Sequence, residues 1–430
     1  MRDILLFAVL AWLVVTIPRR PFVGALAWVV FGVMYPHRLA YGAAYNFPFA
    51  LVIAVLTILS LLITKEHRQP KGGAAAALLI VLLAWAALVN QFAFNPTEAF
   101  VYFDRVFKIY LMTFVLLLLI HTRQQVEALL WCLVVSLGFF GIKGGIFVIL
   151  TGGAYMVRGP EDSALAGNNS LGIGIVVIIP LMYYLFQVTK NRMAKLGLAV
   201  AMALCAVAVL GSYSRGALLA IGGMGALLWL RGKHKLPLAA AAVAFVMVAI
   251  PFMPAKWDAR MNTIETYDQD LSAMGRIWAW EVAYNIAKDR FPVGGGFEFQ
   301  SPETSAKYSP NPADVHVSHS IYFQVLGSLG FIGLSIFLLF WSLVWRQAGW
   351  LRRHCRDQPD LLWAYNLGSI VQASLVGYFI GGAFLDLAFW DLSYYLYAAL
   401  VGAHFAVRQM LGARAKAPSA GVGLPASTAC

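Results

Sequence analysis

Long apolar runs recur along this chain from Ile4 to Met410, with one long gap, and that feature leaves few architectures open. A helix needs about 20 mostly apolar residues to cross the hydrocarbon of a bilayer. Such runs fall near residues 3–18, 21–36, 47–64, 74–92, 104–121, 127–151, 171–188, 194–211, 215–231, 236–254, 319–345, 363–386 and 389–410. The first two are only about 15 residues each, so twelve or thirteen crossings are expected. The runs are continuous rather than alternating, which disfavours a β-barrel. With 60% hydrophobic and 12% charged residues, against roughly a quarter charged in soluble domains, a water-soluble fold is excluded. The expected fold is an all-α polytopic integral membrane protein.

The net charge of +12 does not point to nucleic acid, because the basic residues form short clusters between apolar runs. These are Lys65, Arg68 and Lys71; Arg123; Lys190, Arg192 and Lys195; Arg231, Lys233 and Lys235; Arg346, Arg352, Arg353 and Arg356; and Arg408, Arg414 and Lys416. By the positive-inside rule they are expected on the cytoplasmic side. The 64-residue stretch from Ala255 to Ser318 carries nine acidic and six basic residues, the reverse bias, and is expected on the far side. Four regions follow: N-terminal helices over 1–254, a large periplasmic loop with short helices over 255–318, C-terminal helices over 319–411, and a disordered tail over 412–430. The cysteines, Cys132, Cys205, Cys355 and Cys430, suggest no disulfide framework. The first run lacks a cleavage site and reads as an uncleaved anchor.

Ionisable residues at membrane depth or at the mouth of a helix bundle are candidates for function, because burying charge in lipid is costly. Arg215 sits in the polar corner Gly211-Ser212-Tyr213-Ser214-Arg215-Gly216-Ala217, either snorkelling to headgroups or meeting an anion. Arg276 follows Gly275 in the large loop and opens an aromatic helix with Trp278, Trp280 and Tyr284, which Pro292 and Gly294-Gly295-Gly296 stop. His319 starts the eleventh run and suits either an interfacial ring or a general base near neutral pH. His316, Asp314 and His319 lie close in sequence but lack a further His or Cys, so no metal site is expected. Arg158 to Asn169 reads as a phosphate- or sugar-binding segment or as an ordinary connecting loop. Lys143, among Gly141, Gly144 and Gly145, calls for a partner or an aqueous cavity. A phosphate-binding glycine loop, a zinc-protease helix and a lipase elbow are all absent from the sequence.

The order of Ser214-Arg215-Gly216-Ala217, Gly275-Arg276, the Pro292–Gly296 turn, and His319 leading into Tyr322, Gln324, Leu329, Gly330, Gly333 and Leu334 resembles the O-antigen ligase and polymerase superfamily. Many relatives carry Asn after the histidine, where this chain has Ser320. The Arg158–Asn169 segment is also similar to the exosortase-associated O-glycosylation ligases. The resemblance implies a metal-independent, inverting glycosyltransferase of the GT-C type in the bacterial inner membrane, working at the periplasmic face without a cofactor. Its donor would be glycan on undecaprenyl pyrophosphate, and its acceptor a hydroxyl of lipid A-core, of a growing glycan or of a protein. Catalysis would fall to His319, Arg215 and Arg276, and substrate binding to Arg158, Asn168, Asn169, Lys143, Tyr213, Tyr322 and Gln324. A transporter is the alternative from another class; it fits less well, because the candidate residues lie on one side and no repeat is evident.

Overall fold

A computed structural model of the protein describes residues 1–64, 72–232, 252–262, 271–313 and 315–416, with isolated positions between 235 and 247. The expected span at 236–254, the basic residues Lys65, Arg68, Lys71 and Lys233, the carboxylate Asp314 and most of the expected tail lie wholly or mainly outside the described residues. The described part is helical and without strands. Its helices are α1 (Arg2–Thr16), α2 (Pro21–Met34), α3 (Phe49–Ile63), α4 (Gly73–Asn90), α5 (Pro96–Leu119), α6 (Arg123–Thr151), α7 (Asn168–Val188) and α8 (Arg192–Gly211). They continue as α9 (Arg215–Arg231), α10 (Ala255–Asn262), α11 (Leu271–Asp289), α12 (Pro302–Tyr308), α13 (Ile321–Cys355), α14 (Leu362–Gly382) and α15 (Asp391–Lys416). The last helix runs to Lys416, past the expected start of the tail at residue 412.

Among the described residues five helices are long and apolar enough to cross a membrane: α4, α6, α7, α8 and α13. The other expected spans depart from that standard for physical reasons. Helices α2 and α3 are apolar but short, with 14 and 15 residues. Helix α5 carries Asp104, Arg105 and Lys108, and α14 is diluted by Asn366, Ser369, Gln372 and Ser374. Apolar side chains stand on the outside of these helices, as with Leu51, Val55, Leu59 and Leu62 on α3. This outward apolar surface is that of a multi-pass membrane protein.

Small residues set the tightest helix contacts. A Cβ at Gly145 of α6 would lie 2.3 Å from the Leu204 carbonyl oxygen of α8, and one at Gly141 would lie 2.3 Å from Cys205 Sγ. The glycines at positions 141, 144 and 145 share the face turned to α8. Helix α14 is the central post, packed against α7, α9, α13 and α15. Its buried Ser374 hydroxyl donates to the Val177 carbonyl at 2.8 Å.

The polar loops meet at one end of the bundle and hold one another. Tyr45 donates to Asp162 at 2.8 Å, Asn168 to the Ser212 carbonyl at 2.7 Å, and Asn95 to the Glu298 carbonyl at 2.7 Å. The anchor of this end is a break in α13 at Gly330, whose φ of 69° lies in the left-handed region. The break frees the carbonyls of residues 327–329 from their intrahelical partners. Gly295 N–H donates to Gly327 O at 2.7 Å, Gly296 N–H to Ser328 O at 2.9 Å and Trp85 Nε1 to Leu329 O at 2.8 Å. Each such carbonyl left bare and buried would cost about 1–3 kcal/mol, so the glycine turn after α11 and the broken helix require each other.

A Cβ at position 330 would meet the Pro292 carbonyl oxygen at 2.5 Å, while one at Gly225 of α9 meets nothing within 4 Å. Gly330→Ala is therefore expected to destabilise the protein by about 2 kcal/mol or more, and Gly225→Ala to be neutral or stabilising. Thermal unfolding of the two variants in detergent checks this. Equal midpoints would mean that the break does not hold the loop layer.

Candidate active site

His319 lies between the large loop and α13, with its backbone at φ 45°, a conformation that a residue with a Cβ rarely adopts. Its surroundings hold it there. The His319 N–H donates to Asp386 Oδ2 at 3.0 Å, and the Ser320 N–H also bonds the Asp386 carboxylate. His319 Nδ1 stands 3.4 Å from the same oxygen. One residue earlier, the Ser318 carbonyl accepts Trp280 Nε1 at 2.8 Å and its hydroxyl accepts Gln300 Nε2 at 2.8 Å. Trp280 of α11 stacks on Phe323 of α13 with ring centroids 5.1 Å apart. The aromatic helix thus fixes the strap that carries the histidine. An Nδ1–H turned to Asp386 leaves Nε2 to accept a proton.

His319 and Asp386 line a cavity of about 290 Å³ together with Tyr102, Arg105, Glu298 and Gln324. A second cavity, of about 250 Å³, is lined by Arg215 and Arg276 with Asn169, Ser214 and Phe384. Leu385 borders both, so the cationic and histidine cavities are neighbours. Ser214 caps α9 by accepting the Ala217 N–H at 3.2 Å, which fixes Arg215 as the first helical residue. Gly275 admits the His316 ring beside Arg276; a Cβ there would meet His316 Nε2 at 2.4 Å. Among the described residues no cluster of His, Cys, Asp and Glu could hold a metal ion, and Asp314 lies outside them.

Burial lowers the His319 pKa to about 4, with the Arg276 guanidinium and the His316 ring acting in the same direction. The imidazole is therefore neutral at physiological pH and able to accept a proton. Burial pushes the Asp386 carboxyl up to about 6 against the two backbone hydrogen bonds that favour its charge. Asp386 Oδ1 is buried with no hydrogen-bond partner among the described residues. The carboxylate is still mainly ionised at neutral pH.

The other sequence candidates separate. Asn169 joins the arginine cavity, whereas Asn168 donates to the Ser212 carbonyl and ties α7 to the α8–α9 corner. Arg158 and Tyr213 line a third cavity, of about 510 Å³, with Tyr155 and Lys256, and Tyr213 donates to the Gly153 carbonyl at 2.6 Å. Gln324 reaches the histidine cavity, but its amide donates to Tyr102 at 2.8 Å and accepts the Ala388 N–H at 3.1 Å. Tyr322 is turned to α14, donating to the Phe379 carbonyl at 3.2 Å. Lys143 is exposed on the outer face of α6, away from these cavities, because its neighbouring glycines serve the α8 contact.

Asp386, Arg105 and Glu298 line the histidine cavity but are passed over in the sequence. Asp386 falls in the expected helix 363–386, but α14 ends at Gly382, and the loop that follows turns the carboxylate toward His319. An acid and a base inside apolar runs, Asp386 and Arg105, are the signal that could have revealed them.

Fold and site together define a multi-pass membrane protein with a cationic pocket and a histidine pocket side by side at one end. Residues 200–338 match the family model described as O-antigen ligase, which supports the resemblance to the O-antigen ligase and polymerase superfamily. Residues 1–190 match a family of unknown function (DUF5935). No curated protein matches the sequence. The ligase match contains Arg215, Arg276 and His319, while Arg105 and Asp386 lie outside it.

Removing the cation beside the imidazole must favour imidazolium, so Arg276→Gln is expected to raise the His319 pKa from about 4. Histidine-selective NMR titration, assigned by difference against His319→Ala, reads both values. A wild-type midpoint near the ordinary 6.5 would refute the burial described here.

Proposed function

We propose that this protein is a metal-independent, inverting membrane glycan ligase. It moves a preassembled glycan from undecaprenyl pyrophosphate to a sugar hydroxyl of lipid A-core at the periplasmic face of the bacterial inner membrane. The observation that carries this reading is the pairing of the Arg215–Arg276 cavity with the neutral His319 across Leu385. A lipid diphosphate is a good leaving group once its charge is neutralised, and arginine forks supply that neutralisation in bidentate form. A hydroxyl nucleophile needs a base, which His319 provides.

The acceptor hydroxyl enters the histidine cavity and gives its proton to His319 Nε2 as its oxygen bonds to the anomeric carbon. The bond from that carbon to the diphosphate oxygen breaks on the opposite face, inverting the configuration. The diphosphate keeps the electron pair beside Arg215 and Arg276. Asp386 holds the ring and stabilises the imidazolium, which then releases its proton to solvent. Donor charge on Arg276 also cancels part of the field that depresses the imidazole, so a bound donor makes His319 a stronger base. Acceptor activation is thereby coupled to donor occupancy. Arg105 and Glu298, lining the histidine cavity, are the groups available to orient the acceptor.

His319→Ala is expected to lower turnover by about 10²–10⁴-fold while lipid-linked donor still binds. Arg215→Ala and Arg276→Ala should lose donor binding, and Arg215→Lys should remain impaired. Donor binding and single-turnover transfer, measured on folded variants, separate the roles. Near-normal transfer in all three alanine variants would remove the assignment, and product formed on the carrier rather than on lipid A-core would make the enzyme a polymerase. In wild type the acid limb of kcat should lie above that of kcat/KM, because the first reports the donor-bound enzyme.

Sidedness is a separate expectation. Ser301→Cys in intact cells should react with an impermeant thiol reagent and Lys190→Cys should not. The reverse pattern would put the site on the cytoplasmic face.

A further inference from the structure

At the end of the bundle opposite His319, arginines converge in a way that topology signalling does not require. Arg231 from the end of α9 and Arg346, Arg352, Arg353 and Arg356 from the end of α13 line a cavity of about 450 Å³. Its floor is Gln372 of α14, a side chain only 2% exposed. Gln372 Nε2 donates to the Trp345 carbonyl at 3.1 Å, which turns the amide oxygen toward the arginines. That one neutral oxygen accepts both Arg231 Nη1 at 2.8 Å and Arg352 Nη1 at 3.0 Å. Arg352 Nε is buried and has no hydrogen-bond partner among the described residues. Among the described residues no ion pair joins any of the five to a carboxylate, although Asp357 lines the cavity.

A positive-inside signal is satisfied by solvated cations near helix ends. It does not bring two guanidinium groups onto one buried amide, where like charges repel. An anion between them removes the repulsion and uses the donors that Gln372 leaves free.

We propose that this cavity binds the phosphate groups of an anionic lipid headgroup in the leaflet opposite the candidate active site. Depth favours a lipid: the helix path from Ile321 to Arg352, across the break at Gly330, is at most about 45 Å, the scale of the roughly 40–45 Å thickness of a bilayer with its headgroups. Size favours a headgroup with two phosphates. An adjoining cavity of about 600 Å³ shares Arg346 and Arg353 and adds His404 and Arg408. Planar guanidinium forks hold phosphate oxygens in pairs, and basic pockets between membrane helices suit such headgroups. The proposal is independent of the glycan-transfer reading.

Thermal unfolding of the full-length protein in neutral detergent tests it, with diphosphatidylglycerol, phosphatidylcholine or inorganic diphosphate added. Diphosphatidylglycerol should raise the midpoint and phosphatidylcholine should not. Arg231→Gln and Arg352→Gln should weaken the apparent affinity roughly tenfold without lowering the midpoint of the lipid-free protein, since each relieves the like-charge contact. Arg414→Gln, at the same end but paired with Asp360, should keep the wild-type response. Equal responses in all variants, or a lower lipid-free midpoint in the two cavity variants, would overturn the proposal. A shift reproduced by inorganic diphosphate at the same phosphate concentration would overturn the lipid assignment in favour of a soluble anion.

Discussion

The carboxylate of Asp386 is the contact on which the histidine site depends. By accepting the N–H groups of His319 and Ser320 it caps the start of α13 from outside, fixes the left-handed backbone at His319 and sets the ring beside the same oxygen. A carboxylate at a helix N-terminus gains from both the free amides and the helix dipole. The loop after α14 and the strap before α13 are thereby one unit. Had the carboxylate been replaced by an apolar group, these two amides would need other partners.

That unit rests in turn on the break at Gly330. Because the glycine turn after α11 fills the carbonyls exposed by the break, α11 is held along α13 and Trp280 comes within reach of Ser318. The order of causes runs from a left-handed glycine, to a docked turn, to a positioned tryptophan, to a fixed histidine. Each step satisfies polar backbone that packing would otherwise leave without partners. Precision at the site is therefore a by-product of hydrogen-bond satisfaction in the layer around it.

Helical periodicity and punctuation were legible where local rules decide. The expected run 215–231 coincides with α9, and Pro292 with the glycines ends the aromatic helix close to where it was expected. Two of the arginines that the sequence singles out, Arg215 and Arg276, come together in one cavity. What was not legible depends on tertiary contacts. The run through Gly330 reads as one unbroken span, because only the docked turn makes a left-handed residue favourable there. The apolar letters of Phe384 and Leu385 continue the α14 pattern in sequence, yet they are loop residues, and that disguised Asp386. Lys143 stands out in sequence because a lysine inside an apolar run calls for a partner or an aqueous cavity, whereas it is exposed on the outer face of α6 and its neighbouring glycines pack against α8. Gln324 and Asn168 are polar residues in the right region whose amides are committed to holding the protein's own backbone or hydroxyls.

Helix α9 shows how the same side chain acquires different meanings at its two ends. Arg231, in the last turn, complements the negative end of the helix dipole, an arrangement that stabilises a helix by about 0.3–1 kcal/mol. Arg215, the first residue of the same helix, adds positive charge to the positive end, and no acidic residue accompanies it in the first turn. Helix stability alone would choose the opposite charge at that position. Its place beside Arg276 in one cavity is understandable if helix dipole, free amides and two guanidinium groups act together on one anion. The local disadvantage to the helix then becomes the source of affinity, and it argues for a donor phosphate at Arg215 more directly than the presence of an arginine by itself could.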